Sequence, residues 1–287
     1  MAIVHFDNYF WKYTQTDKPA LKNINLEMEE GTFIGVIGPN GAGKTTLVYS
    51  INGLIPNQYY GVRKGHVNVL EKKVIDYRSE EIAKKVGVVF SDPESQFTSM
   101  TVEDEVVFGM ENIGLSISEI QERLDWVVPL TKIGPLMDKP PYEVSGGQKA
   151  RVALASVLAM MPKIIVLDEP TSMLDPISRK HVFEVLLKLK NEQKSTIIVI
   201  EHSLENLVPL ADKMILLYDG EVVLVDDTEP FFKRIDFLLK YDVFPPEVIQ
   251  FFYELFKLGD YKGKLPLSLD EAVNYLQELM KNRRVNQ

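Results

Sequence analysis

The sequence lacks the features of a disulfide-bonded, membrane-spanning or basic nucleic-acid-binding protein. Its 287 residues include no cysteine, which excludes disulfides, thiolate zinc sites and cysteine nucleophiles. No apolar run approaches the roughly 20 residues that a membrane-spanning helix needs, so a membrane role would have to come through a partner. The N-terminal residues do not show the basic start, apolar block and cleavage site of a signal peptide. Acidic residues outnumber basic ones by 41 to 32, so we expect no nucleic-acid partner.

What the sequence does contain is an alternation of short apolar runs and helical periods, which predicts an α/β fold with a mainly parallel sheet. The runs at 33–37, 86–90, 164–167 and 196–200 contain no charged residue, as strands covered on both faces should. A helix is predicted over 45–54. The mostly helical stretch 101–161 interrupts the strands and predicts a subdomain.

The C-terminal part of the chain has a different pattern. Asp219-Gly220, between apolar runs at 213–218 and 221–226, predicts a β-hairpin. From about residue 228 the strand pattern stops. Two amphipathic helices are predicted there, one after Pro245-Pro246 and one capped by Ser268 and Glu271.

The stretch from Gly38 to Thr45 has the GxxxxGK[ST] spacing, after a predicted strand and before a predicted helix. Glycines let backbone N–H groups close around phosphate oxygens, and the helix N-terminus adds its dipole. Lys44 would contact the β- and γ-phosphates, and the Thr45 hydroxyl would bind Mg²⁺. The predicted nucleotide-binding residues of this loop are Gly38, Asn40, Gly41, Ala42, Gly43, Lys44, Thr45 and Thr46.

Polar side chains follow two of the predicted strands. Asp168 and Glu169 come at the end of an apolar run, where Asp168 suits a Mg²⁺ contact and Glu169 could orient or deprotonate a water. His202 follows another strand, at the edge of a parallel sheet where ligands bind. A single histidine in such a place is also commonly a plain loop residue, so spacing alone leaves both interpretations open.

A second candidate anion site lies at Ser145-Gly146-Gly147-Gln148, about a hundred residues after the first. Ser145 is suited to cap a helix whose first N–H groups are free to meet a phosphate. The residues do not by themselves explain why one chain carries two phosphate sites so far apart.

Together these motifs resemble those of an ATP-binding cassette (ABC) ATPase, over residues 1 to about 227. The resemblance implies a RecA-like core with an antiparallel β subdomain and a helical subdomain at about 92–160, followed by a helical extension at 228–287. In this family Ser145–Gln148 corresponds to the signature motif. The stretch from Gly38 to Thr45 corresponds to the P-loop. Two cassettes pair head to tail, so that each ATP lies between the P-loop of one subunit and the signature of the other.

The resemblance also implies a role for each site residue, with ATP and Mg²⁺ as ligands. Tyr13 is similar to the aromatic residue that stacks on adenine. Glu169 is similar to the catalytic base, and His202 to the histidine that contacts the γ-phosphate. Asp175, in the segment Ser172-Met173-Leu174-Asp175, is similar to the acid that communicates between paired sites.

Within the family, residues 86–115 resemble the ATPase subunit of energy-coupling factor (ECF) transporters, which import vitamins and transition-metal ions. The resemblance rests on the pattern x-P-[DE]-x-Q in Asp92-Pro93-Glu94-Ser95-Gln96 and on the tail. It implies a second ATPase subunit, a transmembrane scaffold protein and a separate substrate-binding membrane subunit. The chain would then lie at the cytoplasmic face of the cell membrane. The extension would help to hold the ATPase pair together.

One position departs from the family pattern. Ser91 stands where a glutamine usually reaches Mg²⁺ and the attacking water, so Ser91 is a shorter candidate for that contact. Gln96 is an alternative source of the amide, although Pro93 places it in the helix expected to meet the partner. Ser91 also keeps open a regulatory subunit that binds ATP but hydrolyses it slowly. A soluble ABC ATPase of DNA repair or translation is a further alternative, but the helical block is too short for the coiled coils of the repair proteins.

Overall fold

The protein is described by a computed structural model covering residues 2–172, 174–193 and 195–285. Within these ranges it has the predicted α/β fold. The strands are β1 (Ala2–Tyr13), β2 (Leu21–Glu29), β3 (Phe33–Ile37), β4 (Gly61–Val69), β5 (Lys72–Lys73), β6 (Val86–Val89), β7 (Ile164–Asp168), β8 (Thr196–Ile200), β9 (Lys213–Tyr218) and β10 (Glu221–Asp227). The described ranges contain no helix that is both long and apolar enough to cross a membrane.

Helices of very different length connect and follow these strands. They are α1 (Lys44–Ile51), α2 (Leu54–Asn57), α3 (Ser79–Ala83), α4 (Val102–Asn112), α5 (Ile117–Thr131), α6 (Gly146–Ala159), α7 (Pro176–Gln193), α8 (Leu204–Leu207), α9 (Thr228–Phe232), α10 (Ile235–Leu238), α11 (Glu247–Lys257) and α12 (Leu269–Val285). Short 3₁₀ helices lie at Val74–Asp76, Pro93–Gln96, Gly134–Leu136, Pro141–Glu143 and Leu239–Tyr241.

The strands of the described residues form two sheets. An antiparallel sheet has the order β2-β1-β4-β5, and a six-stranded sheet has the order β10-β9-β3-β8-β7-β6. In the larger sheet β9, β3, β8, β7 and β6 run parallel, and only β10 pairs antiparallel, through the predicted hairpin at Asp219-Gly220. The antiparallel subdomain and the parallel core are therefore confirmed.

The unbroken apolar strands are explained by cores on both faces of the larger sheet. Successive side chains of a strand point to opposite faces. Along β7, Ile164 and Val166 join the core shared with the antiparallel sheet, whereas Ile165 and Leu167 join the core beneath the helices. Because both faces are covered, neither set of positions can be polar.

The register of the parallel strands brings the predicted site residues to one edge. Val36 of β3 pairs with Ile200 of β8, and Asp168 of β7 pairs with the same Ile200. The loops that leave these three strands therefore begin side by side. They contain the P-loop, Glu169 and His202 respectively.

The structure shortens one predicted helix and shows how others begin. The helix predicted over 45–54 ends at Ile51, because Gly53 takes a left-handed φ of 81° and starts the separate short helix α2. Side chains cap two helices of the helical block. Thr101 accepts a hydrogen bond from the backbone of Asp104, and Ser116 forms a capping box with Glu119.

The C-terminal extension shares its core with the rest of the chain. Phe231, Phe232 and Phe252 are fully buried in the same hydrophobic cluster as Leu167 and Val199 of the central sheet. Phe252 therefore packs inward, while its neighbour Phe251 is half exposed. The extension therefore packs as part of the core that lies under the central sheet.

Candidate active site

The P-loop joins β3 to α1 and is shaped by close backbone contacts. A Cβ on Gly38 would lie 2.0 Å from the carbonyl oxygen of Leu217, and one on Gly43 would lie 2.4 Å from that of Ala20. Gly43 also has a φ of 101° at the N-cap of α1. Only glycine fits these two positions, so the close backbone path of the loop depends on them.

Lys44 is almost completely buried at the start of α1. Its Nζ donates hydrogen bonds to the carbonyl oxygens of Gly38 at 2.8 Å and Pro39 at 3.0 Å. Burial lowers the pKa of Lys44, and the nearby Glu169 and Asp168 carboxylates act in the opposite direction. The ammonium is thus held inside the loop, where it can exchange carbonyl contacts for stronger ones to phosphate oxygens.

Asp168 ends β7 and is only 4% exposed. Burial raises the pKa of its carboxyl, and the hydrogen bond with Thr45 opposes that shift. Its Oδ1 atom is buried and has no hydrogen-bond partner within the described chain. An orphaned carboxylate oxygen beside a threonine hydroxyl fits a hard divalent cation. Mg²⁺ in particular is commonly held by one or two carboxylates, water and substrate phosphates.

Glu169 and His202 form a pair at the same edge. Glu169 Oε1 and His202 Nε2 are 2.9 Å apart, and both side chains remain partly exposed. Glu169 has a left-handed φ of 52°, and its backbone N–H donates to Ile200 at 2.9 Å. This conformation is uncommon for a side-chain-bearing residue, so the adjacent strand holds the carboxylate in a fixed direction.

Glu201, one residue before His202, is a further member of the site that the sequence did not single out. It is 3% exposed and accepts hydrogen bonds from the Thr171 backbone at 3.1 Å, the Thr171 hydroxyl at 2.5 Å and the His202 backbone at 3.2 Å. Burial raises the pKa of Glu201, while these hydrogen bonds lower it. Glu201 thereby joins the loop after Glu169 to the loop carrying His202. An acid directly after an apolar strand was the available signal.

Tyr13 lies beside the first turn of α1. Its hydroxyl is 3.1 Å from that of Thr46, and burial raises the pKa of the phenol. The Tyr13 ring meets Tyr59 edge-on at 6.0 Å, and Tyr59 stacks on Tyr49 of α1 at 5.0 Å. Tyr49, whose pKa burial raises to about 12, was also missed by sequence reasoning. These rings form an aromatic wall next to the P-loop.

The signature residues form the predicted helix start. Ser145 accepts a hydrogen bond from the Gln148 backbone at 3.4 Å, and the Gln148 side chain accepts one from the Ser145 backbone at 2.9 Å. A Cβ on Gly146 would meet nothing within 4 Å, whereas one on Gly147 would lie 2.2 Å from the Ser178 hydroxyl. The first turn of α6 thus presents an open backbone on one side and packs against α7 on the other.

Asp175 and Asp92 each accept hydrogen bonds from the backbone that follows them. Asp175 accepts bonds from Ile177, Ser178 and the Ser178 hydroxyl at 2.6–3.0 Å, which hold the pKa of its carboxyl below the usual range. Asp92 caps the 3₁₀ helix Pro93–Gln96. Ser91 is exposed directly before it. Met173, of the segment before Asp175, lies outside the described residues.

Gln96 has a more specific position than the sequence indicated. It lies in the predicted short helix, but its Oε1 faces the backbone N–H of Phe90 at 3.5 Å. The side chain therefore turns back toward Phe90, which follows β6 and directly precedes Ser91.

The extension reaches the edge of the site. A cavity of about 160 Å³ is lined by Gly38, Glu201 and His202 on one side and by Asp242 and Phe244 on the other. Tyr241, just before them, packs on Tyr218 at the end of β9, with ring centroids 5.0 Å apart. The extension is thus a wall of this cavity, in addition to any role in association.

The predicted site residues lie in two separate places in the fold. The structure brings Lys44, Asp168, Glu169 and His202 together at the edge of the central sheet, with the P-loop and Tyr13 beside them. It places the signature on α6, where the contacts described above are with α7. A glycine-rich loop with a buried lysine, beside a buried aspartate and a glutamate–histidine pair, is the geometry of a nucleotide hydrolase.

Comparison with known proteins gives the class. The model of the ABC transporter family matches residues 21–172, so the chain belongs to that family and is an ABC ATPase. It is 37% identical over 278 residues to the energy-coupling factor transporter ATP-binding protein EcfA1 of Caldanaerobacter subterraneus, covering 96% of this chain and 98% of that protein. It is 35% identical over 284 residues to EcfA2 of Clostridium perfringens, covering 98% of this chain and 99% of that protein.

Solved structures agree with this assignment. The chain aligns with cbiO1 of Clostridium perfringens, described as part of the ABC transporter complex cbiONQ, with a TM-score of 0.72 and 31% identity over 89% of this chain and 99% of that one. It also aligns with the ATP-binding cassette MJ0796 in a dimeric state bound to ADP and Pi, with a TM-score of 0.69 and 28% identity over 78% of this chain and 98% of that one.

Proposed function

We propose that the chain is the ATP-hydrolysing subunit of an energy-coupling factor type importer for a vitamin or a transition-metal ion. It works as a head-to-tail ATPase pair on a transmembrane scaffold, at the cytoplasmic face of the membrane, and a separate membrane subunit binds the substrate. The single observation that supports the proposal is a separation in space. The P-loop, Glu169 and His202 lie at the edge of the central sheet, whereas the open signature turn, Ser145–Gly147, lies at the start of α6. The similarity to EcfA proteins supports the choice of branch.

Each described residue has a task in this proposal. Lys44 and the P-loop N–H groups bind the β- and γ-phosphates, and Tyr13 contributes an aromatic face for the base. Thr45 and Asp168 would hold Mg²⁺, which when bound neutralises charge on the phosphates. Glu169 accepts a proton from the attacking water, while its partner His202 contacts the γ-phosphate.

The second subunit is needed for a geometric reason. Gly146 and Gly147 begin α6 with backbone N–H groups that have no intrahelical partner, and the Gly146 side of the turn is open. A γ-phosphate bound to the P-loop of another subunit suits this turn, because a helix N-terminus favours an anion. The two phosphate sites in one chain then belong to two different ATP molecules.

The scaffold would dock in a groove beside α1 and α2. A groove of about 330 Å³ has among its lining residues Leu54, Ile82, Val88, Phe90, Val157 and Met160. Its apolar lining suits the non-polar face of a short helix. Phe90 directly precedes Ser91, so a helix seated there would touch the segment that leads to 92–96.

Mixing two inactive variants tests the paired site. Ser145→Arg should inactivate the chain alone, because it blocks both composite sites, and Lys44→Ala should lose ATP binding. Mixed together, they can form a pair with one intact site, and we expect partial ATPase activity that neither variant has alone. No activity in demonstrated mixed dimers would contradict the paired arrangement.

Ser91 supports one alternative, a regulatory subunit that pairs with an active sister. The intact Glu169–His202 pair favours hydrolysis by this chain instead. Phosphate release by the purified chain, measured at increasing protein concentration, separates the two functions. Turnover that rises with concentration indicates an active homodimer, and a rate near the uncatalysed one indicates the regulatory subunit.

A further inference from the structure

An ion pair joins the segment at 92–96 to the signature helix. Lys149 Nζ and Glu94 Oε1 are 2.5 Å apart, and the Lys149 side chain is only 13% exposed. Lys149 directly follows Gln148 in the first turns of α6, whereas Glu94 lies in the 3₁₀ helix after β6. The two residues are 55 positions apart in sequence, so the pair is a tertiary contact.

Lys149 depends on this carboxylate more than a surface lysine would. A cation near a helix N-terminus is disfavoured by the helix dipole. Here the ammonium is also largely removed from water, which increases the cost of leaving it unpaired. Loss of Glu94 would therefore leave this ammonium unpaired in the first turns of α6, directly beside the signature residues.

The segment carrying Glu94 is held together by a local cap and is tied to α4 just after it ends. At its start, Asp92 accepts a hydrogen bond from the Glu94 backbone at 3.1 Å. At its exit, the buried Glu105 accepts bonds from the backbones of Thr98 and Ser99, each at 2.9 Å. A displacement of this segment would carry the Glu94 carboxylate with it.

The opposite side of the signature turn is also held. Gly147 packs against Ser178, whose hydroxyl donates to Asp175 at 2.6 Å. The turn at Ser145–Gly147 therefore lies between two contacts, the Glu94–Lys149 pair and the start of α7. Its orientation is set by both.

We propose that Lys149 is a positioning residue, and that its ion pair with Glu94 sets the orientation of the signature turn toward the partner subunit's nucleotide. Contact of the membrane scaffold with the segment at 92–96 would reach the signature through this pair. The inference rests on the proposed function, because it assumes that the signature acts across a subunit pair.

Charge exchange tests the inference in a Glu169→Gln background, in which ATP should hold the pair together. The variants are Glu94→Lys, Lys149→Glu and the double exchange, with Arg151→Glu as the matched control. Arg151 lies on the same helix but donates to the Lys132 carbonyl at 2.8 Å. Sedimentation with ATP measures association, equilibrium dialysis measures ATP binding by the single subunit, and thermal melts report folding.

We expect each single exchange to weaken ATP-driven association about two- to five-fold or more, the range of a partly exposed pair, with ATP binding by the single subunit retained. The double exchange should restore association to within about two-fold of the parent, which a general loss of folding would not do. Arg151→Glu should associate like the parent.

Three results would overturn the inference. One is unchanged association in both single exchanges, and another is failure of the double exchange to recover despite a normal melt. The third is an equal loss in Arg151→Glu, which would mean that any charge reversal on α6 has this effect. If the Glu169→Gln parent itself shows no ATP-driven association, the proposed function fails, and the inference fails with it.

Discussion

Replacement of Glu169 by glutamine is the most informative single change. Glutamine keeps the size of the side chain and can still hydrogen-bond His202, which lies 2.9 Å away. The backbone bond from residue 169 to Ile200 is unaffected. The substitution therefore removes the proton acceptor and little else.

The expected magnitude distinguishes two roles for this carboxylate. A general base contributes about 10²–10⁴-fold to the rate, which corresponds to roughly 2.7–5.4 kcal/mol. If Glu169 only oriented His202, the amide would retain that contact and turnover would fall less than about ten-fold. We expect the larger loss, with ATP binding retained and the chain accumulating as an ATP-bound dimer.

Phosphate release at saturating ATP and Mg²⁺ provides the assay, and sedimentation with ATP detects the trapped pair. Glu205→Gln is the matched control, since this exposed carboxylate lies close to His202 in sequence and bonds only to Ser203 among its described contacts. Turnover within a few-fold of the parent would refute the assignment of Glu169 as the base.

Three further predictions concern stability, Mg²⁺ and the extension. Asp168→Asn should raise the melting temperature of the nucleotide-free chain at pH 7, because burial raises the pKa of Asp168 in the folded state and its ionisation therefore opposes folding. The gain should vanish below the pKa that this aspartate has in the unfolded chain, and melting curves at a series of pH values would show this. Ser91→Gln should raise ATP turnover or Mg²⁺ affinity in a Mg²⁺ titration, whereas Ser91→Asn, one methylene shorter than glutamine, should do so less. Removal of residues 267–287 should weaken resting association in sedimentation with a small loss in melting temperature, whereas removal of 228–287 should lower the melting temperature strongly.

Three of the site residues that sequence reasoning identified lie at or just after the end of a strand. Asp168, Glu169 and His202 each follow a run of buried apolar residues, and parallel strands bring such ends together without further information. The P-loop is specified by its own spacing. For these residues local pattern and tertiary position coincide.

The residues that were missed act through partners distant in sequence. Glu201 is defined by Thr171 in another loop, and Tyr49 by its stack with Tyr59. The Glu94–Lys149 pair is of the same kind. None of these contacts leaves a periodic signal, because each depends on how separate elements pack.

The predicted boundary at residue 227, between the cassette and the helical extension, also could not reflect tertiary packing. A change of pattern from strands to helices marked it, but a pattern does not report which surface the helices cover. Phe231 and Phe232 turned out to complete the core beneath the central sheet.

This shared core has a consequence for how the molecule opens. Regions that bury one another's apolar side chains tend to exchange their amide hydrogens as one cooperative unit. Amides of α9 should therefore be protected nearly as long as those of β7 and β8, although α9 comes after the last strand. The half-exposed face of α11, around Phe251 and Phe256, should exchange sooner. A protease that cuts within 228–238 would then require the opening of the central sheet, so slow cleavage there would report the stability of the nucleotide site itself.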